Sequence, residues 1–422
     1  MFRRLTPEIW LLSLITLLSL LLGFVTFNEQ QAMWTIKYVG PWVIWLVWAC
    51  WFFIGAKLLR TGWNHLNWKD RRLWVAAVLI AFCGAQPLLQ QETGFKVLND
   101  ELVLSANAKR LHFDREFMTT LRAHDFNGKY VELASTVDKR PMTFVCLLAL
   151  VHDLTGYRVA NVFILNAILS FALLAVLYGL GRLLGGHMAG LLAVVAWSCS
   201  PLVAINATGG GFELLNVLLM ATLLGVSWFF WRRRDRDSVS LLALTAVLLA
   251  ETRYESVIFV LPVGVLILTV WWREQRLILS WPLLLAPLFL VVYPLQHKVF
   301  NHPRYWEMTG GKTKPFSAEY LFNNIGHAAN YFFGLDTDIP SSAPLATIGA
   351  IAIGLLIVSL VSRGREYVRT RTEVILLGGL GAGILANFAL MLFYHWADFD
   401  TYVVHRFTLP LQLLMVLALI FA

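Results

Sequence analysis

Residues 159–181 read VANVFILNAILSFALLAVLYGLG, an apolar run without a single charged side chain. At a rise of about 1.5 Å per residue, such a run is long enough to cross a hydrocarbon layer about 30 Å thick. Runs of the same character recur on either side of it, at 8–27, 38–59, 73–90, 187–206, 212–231, 277–296, 344–362, 374–394 and 406–422. The stretch 239–272 is too long for one straight crossing and carries Glu251, Arg253 and Glu255 near its middle. It therefore reads as two short helices joined by a tight turn, which brings the total to about 12 spans. Hydrophobic residues make up 58% of the chain and charged residues 14%, with a mean hydropathy of +0.65. A soluble domain carries roughly 25% charged residues. These values exclude a disordered chain, a soluble nucleic-acid binder and a small disulfide scaffold, and they define an all-α polytopic membrane protein.

The net charge of +8 then reports topology and gives no reason to expect a nucleic-acid partner. Arg3/Arg4, the 57–72 loop, Arg232–Arg236, Arg273/Arg276 and Arg363–Arg371 all fall on the cytoplasmic side if the N-terminus is inside. That parity holds only if the short apolar run 142–154 does not cross, and its length suits an interfacial or re-entrant segment. The apolar run after Met1-Phe2-Arg3-Arg4 is long enough to span and shows no small-residue cleavage site, so a removable signal peptide is not expected. Cys50, Cys83, Cys146 and Cys199 lie in apolar stretches without metal-type or redox spacing and read as packed thiols.

Four segments result. Residues 1–72 hold two N-terminal transmembrane helices, and 73–296 form a core that carries the first outer loop, 91–158. A second outer loop covers 297–343, and 344–422 hold the C-terminal transmembrane helices. Both long loops fall on the outer face and are rich in polar and aromatic residues, which predicts ordered structure with helices along the membrane boundary.

The ionisable residues outside the basic clusters gather toward that same face. They are Asp100-Glu101, Lys139-Arg140, Glu213, the Glu251–Glu255 turn, and the group His395, Asp398, Asp400, His405 and Arg406. Ionisable groups at membrane depth are costly and mark substrate or proton paths. Each also has a structural reading. Asp100-Glu101 and Glu213 suit helix N-termini, Arg253 suits a local ion pair with Glu251 and Glu255, and Arg406 suits a headgroup anchor. The aromatics Tyr305, Trp306, Tyr320, Tyr331, Phe332 and Phe333 of the second loop fit either a ligand pocket or a loop lying on the membrane. Asp336 and Asp338 suit a solvated turn before Pro340.

The stretch Val97-Leu98-Asn99-Asp100-Glu101-Leu102 resembles the Asp-Glu motif in the first outer loop of GT-C superfamily glycosyltransferases, which use polyprenyl-phosphate sugars. The pattern is closest to the protein O-mannosyltransferase and aminoarabinose transferase-like families. A second block, Lys139-Arg140-Pro141-Met142 through Leu154-Thr155-Gly156 to Gly181-Arg182-Leu183-Leu184-Gly185, is similar to the same families. So are Ser200-Pro201 followed by Glu213-Leu214-Leu215, the Thr252-Arg253-Tyr254-Glu255 tip, and His405-Arg406-Phe407. The resemblance implies a GT-C-like helix bundle and chemistry on the periplasmic or outer side of the inner (plasma) membrane. It implies Asp100 as the catalytic acid, Glu213 as the second acid and Arg140 as a contact for the lipid phosphate. The sequence departs from the families in having two spans ahead of the motif-bearing one, Glu in place of Asp at 213, and Met142 in place of a second proline.

The chemistry suits these side chains. Glycosyl transfer through an oxocarbenium-like transition state needs an activated hydroxyl and a stabilised leaving group. A carboxylate such as Asp100 can take the hydroxyl proton, with Glu101 orienting it or binding a divalent ion. Arginine recognises phosphate in a bidentate manner, so Lys139, Arg140, Arg253, His405 and Arg406 are the donor-phosphate candidates. A divalent cation, Mg or Mn, bridging Asp100 and Glu213 is compatible with carboxylate oxygens. The expected function is an inverting transfer of a sugar from a polyprenyl-phosphate donor to a hydroxyl of a glycan, lipid or protein acceptor, with membrane lipid around the site. The alternatives are a flippase of lipid-linked sugars, which would need polar groups partway across the membrane, and a non-catalytic scaffold, for which Asp100 and Arg140 would be dispensable.

Overall fold

The computed structural model describes residues 7–63, 69–300, 314–336 and 338–421. Tyr305 and Trp306, and the N-terminal Arg3/Arg4, lie outside the described residues. The all-α expectation is met apart from one hairpin. Among the described residues, nine helices are long and apolar enough to cross a membrane, including Pro7–Thr26, Gly40–Thr61, Ala160–Gly185, Tyr254–Glu274 and Ala343–Thr370. A further crossing is available if His187–Ser198 and Pro201–Ala207, bent by 77°, count as one. The break falls at Pro201, which sits in the first turn where its missing N–H costs nothing, and Ser200 before it is extended. The two remaining expected spans are shorter helices, Arg236–Ala250 and Leu409–Phe421.

Contacts divide the chain into two compact units. Among the described residues the first holds 7–63, 98–165 and 229–300, and the second holds the remainder. In the first unit the Leu98–Asp114 helix packs against the Thr143–Thr155 helix. Leu104, Ala108 and Leu111 are buried on one, and Phe144, Val145 and Leu148 on the other. Full burial of each large side chain is worth about 1.5–3 kcal/mol, enough to seat a 17-residue helix that carries charges at both ends. The Thr143–Thr155 helix has 13 residues, short of the roughly 20 that a crossing needs.

Between these helices runs an antiparallel hairpin, β1 (Thr119–Phe126) and β2 (Lys129–Thr136), which the all-α reading did not include. Its turn is Asn127-Gly128, both with positive φ (54° and 79°), the arrangement that a two-residue hairpin requires. The Asp125 carboxylate accepts from the Gly128 N–H at 2.6 Å. Arg110 on the helix reaches Glu132 on β2 and Glu116 (2.9 Å), and Lys37 holds Glu116 from the other side (3.0 Å).

At the far end of the two helices Asp153 binds His112 (2.5 Å) and Arg115 (2.6 Å). Beside it His152 is 1% exposed, and its Nδ1 takes a hydrogen bond from Asn161 (2.9 Å).

In the second unit, Asn166 donates to the carbonyls of Gly209 (2.8 Å) and Gly211 (2.9 Å), fixing the glycine turn that leads into the Glu213–Arg233 helix. The cysteines correct one expectation. Cys83 and Cys146 are buried and Cys50 half-buried, but Cys199 is exposed because it sits at the 77° break, where neither helix covers it.

Burial, and then the neighbouring His112, push the pKa of His152 down to about 4, against an ordinary value of about 6.5. The fold therefore holds the ring neutral. Its contribution to stability is complete above about pH 6.5 and is lost as pH falls toward 4. Thermal unfolding in detergent should show a decline over that window which His152→Gln flattens; an unchanged profile in the variant would contradict this.

Candidate active site

The Leu98–Asp114 helix places Asp100 and Glu101 in its first turn, where the helix dipole favours carboxylates. Glu101 turns inward and is 4% exposed, while Asp100 is half-exposed at the helix start. Facing Asp100 is Arg140, and the two form an ion pair. The other edge of the Arg140 guanidinium meets Asp138 at 2.9 Å, and the Arg140 backbone N–H donates to the same carboxylate at 3.2 Å. Asp138 is buried and also accepts from Asn107 (2.7 Å), whose amide oxygen takes a bond from Thr119 on β1. Asn107 lies on the Asp100-bearing helix, so one buried network sets the positions of both Asp100 and Arg140.

Burial pushes the Asp138 carboxyl above its ordinary value, against the pull of Arg140. For Arg140 burial opposes the charge, but Asp138 and Asp100 outweigh it and hold the guanidinium firmly protonated. The backbone around it is pinned as well. The Tyr254 hydroxyl donates to the Lys139 carbonyl, the Gln296 amide donates to the Arg140 carbonyl (3.2 Å), and the Thr143 N–H donates to the Glu251 carbonyl (3.2 Å). Tyr293 in turn donates to the Tyr254 carbonyl (2.8 Å). Met142, where the resembled families have a second proline, packs beside Gly40; a Cβ there would come within 2.8 Å of the methionine methyl carbon. Lys139 is half-buried, and among the described residues its ammonium has no carboxylate partner.

The 251–255 turn differs in part from the expected pairing. Arg253 pairs with Glu255 at 2.6 Å, both nearly buried. Glu251 is fully buried and neither carboxyl oxygen is hydrogen-bonded. The Tyr293 amide that leans toward it is engaged by the Leu290 carbonyl. An ionised carboxylate so placed would be uncompensated, so burial keeps this acid neutral.

In the second unit Glu213 is the first residue of its helix and pairs with Arg406 at 3.0 Å; the side chains are 2% and 7% exposed. Arg406 also donates to the Val403 carbonyl (3.0 Å). His405 is buried with its ring 5.2 Å from that of Tyr331. Tyr331 accepts from Gln412 (3.0 Å), and Gln412 accepts from Ser200 (2.7 Å). His327 pairs with Asp400 at 2.7 Å and lies 3.6 Å from Asp398. Tyr331 and Phe332 are core residues, Phe333 is exposed, and Asp336 accepts from the Asp338 N–H (3.0 Å) in an exposed turn.

Each of the three arginines singled out in the sequence thus faces an acid: Asp100 and Asp138, Glu255, or Glu213. Arg140 is the most accessible, at 15% side-chain exposure against 7% for the other two. A divalent cation does not fit the carboxylates as they stand. Asp100 and Glu213 each answer to a guanidinium, and among the described residues no group of three or more His, Cys, Asp or Glu side chains is placed to hold a metal.

The sequence reading passed over Asp138, Asn107 and Gln296. A signal existed for two of them: Asp138 adjoins Lys139-Arg140, and Gln296 is an amide inside an apolar span, where a polar side chain needs a partner. Asn107 carries no such mark.

Residues 139–295 match the family model described as dolichyl-phosphate-mannose-protein mannosyltransferase. The match takes in Lys139, Arg140, Glu213 and Arg253, and lies between Asp100 and His405-Arg406. Among solved structures, ArnT from Cupriavidus metallidurans, crystallised with undecaprenyl phosphate, is similar at 14% identity and a TM-score of 0.49. The similarity covers 85% of this chain and 60% of that one, so the chain spans less than two thirds of that protein's length. No curated protein sequence matches.

Removing Asp138 strands a buried guanidinium edge and the Asn107 amide together. Asp138→Ala should lower unfolding stability by about 3 kcal/mol, the scale of a broken buried pair. Thermal or denaturant unfolding in detergent checks this; a loss below about 1 kcal/mol would mean that the network does not hold the site.

Proposed function

We propose that the protein is an integral-membrane glycosyltransferase that moves a sugar from a polyprenyl-phosphate donor to an acceptor hydroxyl, with inversion, at the outer face of the plasma membrane. One observation carries this reading: a half-exposed carboxylate, Asp100, sits directly against Arg140, the most accessible of the three arginines. That pairing supplies the two functions that glycosyl transfer from a phosphate needs, a proton acceptor and a cationic seat for the leaving group. The family-model match over 139–295 supports the donor class through its description, a dolichyl-phosphate-mannose-dependent transferase.

Arg140 and Lys139 hold the donor phosphate, and Asp100 takes the proton of the attacking hydroxyl. Glu101, turned inward from the same helical turn, keeps the helix start in place. Arg253–Glu255 supports the Tyr254 contact behind Lys139, whereas Glu213–Arg406 and His405 belong to the packed interior of the second unit. The acceptor is a hydroxyl of a glycan, a lipid or a protein.

The test is turnover. Purified protein is given labelled polyprenyl-phosphate sugars and an acceptor extract, and release of polyprenyl phosphate is followed. Asp100→Asn should lower release by about 10²–10⁴-fold, with the fold intact by thermal unfolding. Release at the wild-type rate would remove Asp100 from the chemistry. Donor binding without release from any donor would favour a flippase.

A further inference from the structure

We propose that the donor phosphate and the Asp100 carboxylate compete for the same edge of Arg140, so that donor binding itself releases the base. The inference rests on the polyprenyl-phosphate reading above. Its starting point is that the two carboxylates on Arg140 are not equivalent. Asp138 takes Nη1 and the backbone N–H, is buried, and is itself held by Asn107 at 2.7 Å. Asp100 takes Nη2, and its side chain is 24% exposed against 4% for Asp138. The Asp138 edge is fixed by the fold. The Asp100 edge is the exchangeable one.

Arg140 already answers two carboxylates. A phosphodiester brought into contact would be a third anion on one guanidinium, and in a poorly solvated site such like-charge contact outweighs the ion pair it adds to. Relief comes if the phosphate takes Nη2 and Asp100 turns away. Arg140 cannot move toward the phosphate instead, because Asp138 holds its side chain and Gln296 holds its carbonyl at 3.2 Å. Lys139, half-buried and next in sequence, adds a positive charge that no carboxylate among the described residues pairs with.

The chemical step then closes a cycle. The acceptor oxygen forms a bond to the sugar anomeric carbon, and the bond from that carbon to the phosphate oxygen breaks. The bonding pair leaves with the polyprenyl phosphate, which gains one negative charge. The hydroxyl proton passes to Asp100, and as a neutral acid Asp100 no longer competes for Arg140. When Asp100 gives that proton to water, the restored carboxylate reclaims Nη2 and displaces the product. One side chain thus serves as base and as release device.

The test measures the affinity of full-length protein in detergent for undecaprenyl phosphate. Asp100→Asn and Asp100→Ala should each bind it about 5- to 50-fold more tightly than wild type, the range expected when a competing, partly buried charge is removed. Arg140→Ala should bind far more weakly, and adding Asp100→Asn to it should give no gain, because the competition passes through Arg140. Asp153→Asn removes the same charge from the Arg115–His112 pair on a neighbouring helix and should leave affinity unchanged. Wild type and Asp100→Asn binding with equal affinity would overturn the competition while leaving the donor reading intact. An equal gain in Asp153→Asn would reduce it to a net-charge effect. Failure of both wild type and Asp100→Asn to bind undecaprenyl phosphate would overturn the donor reading and the competition with it.

Discussion

A guanidinium held at the edge of an apolar bundle must be answered by negative charge, and the first unit is organised around that requirement at Arg140. Its two partners come from different places in the chain: Asp138 two residues earlier and Asp100 from a helix forty residues away. The loop that carries Arg140 has no repetitive structure of its own. Three side chains or backbone groups from Tyr254, Gln296 and Glu251 satisfy it instead. Buried backbone polar groups need partners, and here those partners also set the direction in which the arginine points. The apolar seam between the Leu98–Asp114 and Thr143–Thr155 helices supplies the rigidity, while the hairpin and its Arg110–Glu132 contact brace the same helix from outside.

The same charge logic explains why residues alike in sequence differ in use. Arg253 and Arg406 each pair with a carboxylate and are withdrawn from solvent. Such pairs gain little net stability over apolar packing but are costly to break, so they act as fixed points. Arg140, with two acids and greater exposure, can exchange a partner. Glu251 shows the opposite solution: an acid with no cation partner among the described residues, kept neutral by burial.

Hydropathy made the membrane class and most of the spans legible before any coordinates. Its length set the 142–154 run apart from the spans, and it is a 13-residue helix. What stayed hidden depended on partners remote in the chain. Asp138 and Asn107 look like ordinary polar loop and helix residues until their 31-residue separation closes. The hairpin carried its own signal in Asn127-Gly128, which the expectation of helices along the membrane boundary passed over. Cys199 reads as a core thiol from its neighbours, yet the bend at Pro201 opens the space beside it. For Glu213 and Arg406, sequence placed both at a membrane boundary without revealing that they neutralise each other.

The central claim is that Arg140 is the seat of the donor phosphate. The most direct measurement is the structure of the full-length protein determined with undecaprenyl phosphate bound. The account predicts phosphate oxygens within hydrogen-bond distance of Arg140 Nη2 and of Lys139, Asp138 unmoved, and Asp100 turned away. A phosphate found elsewhere, with the Asp100–Arg140 pair intact, would contradict it.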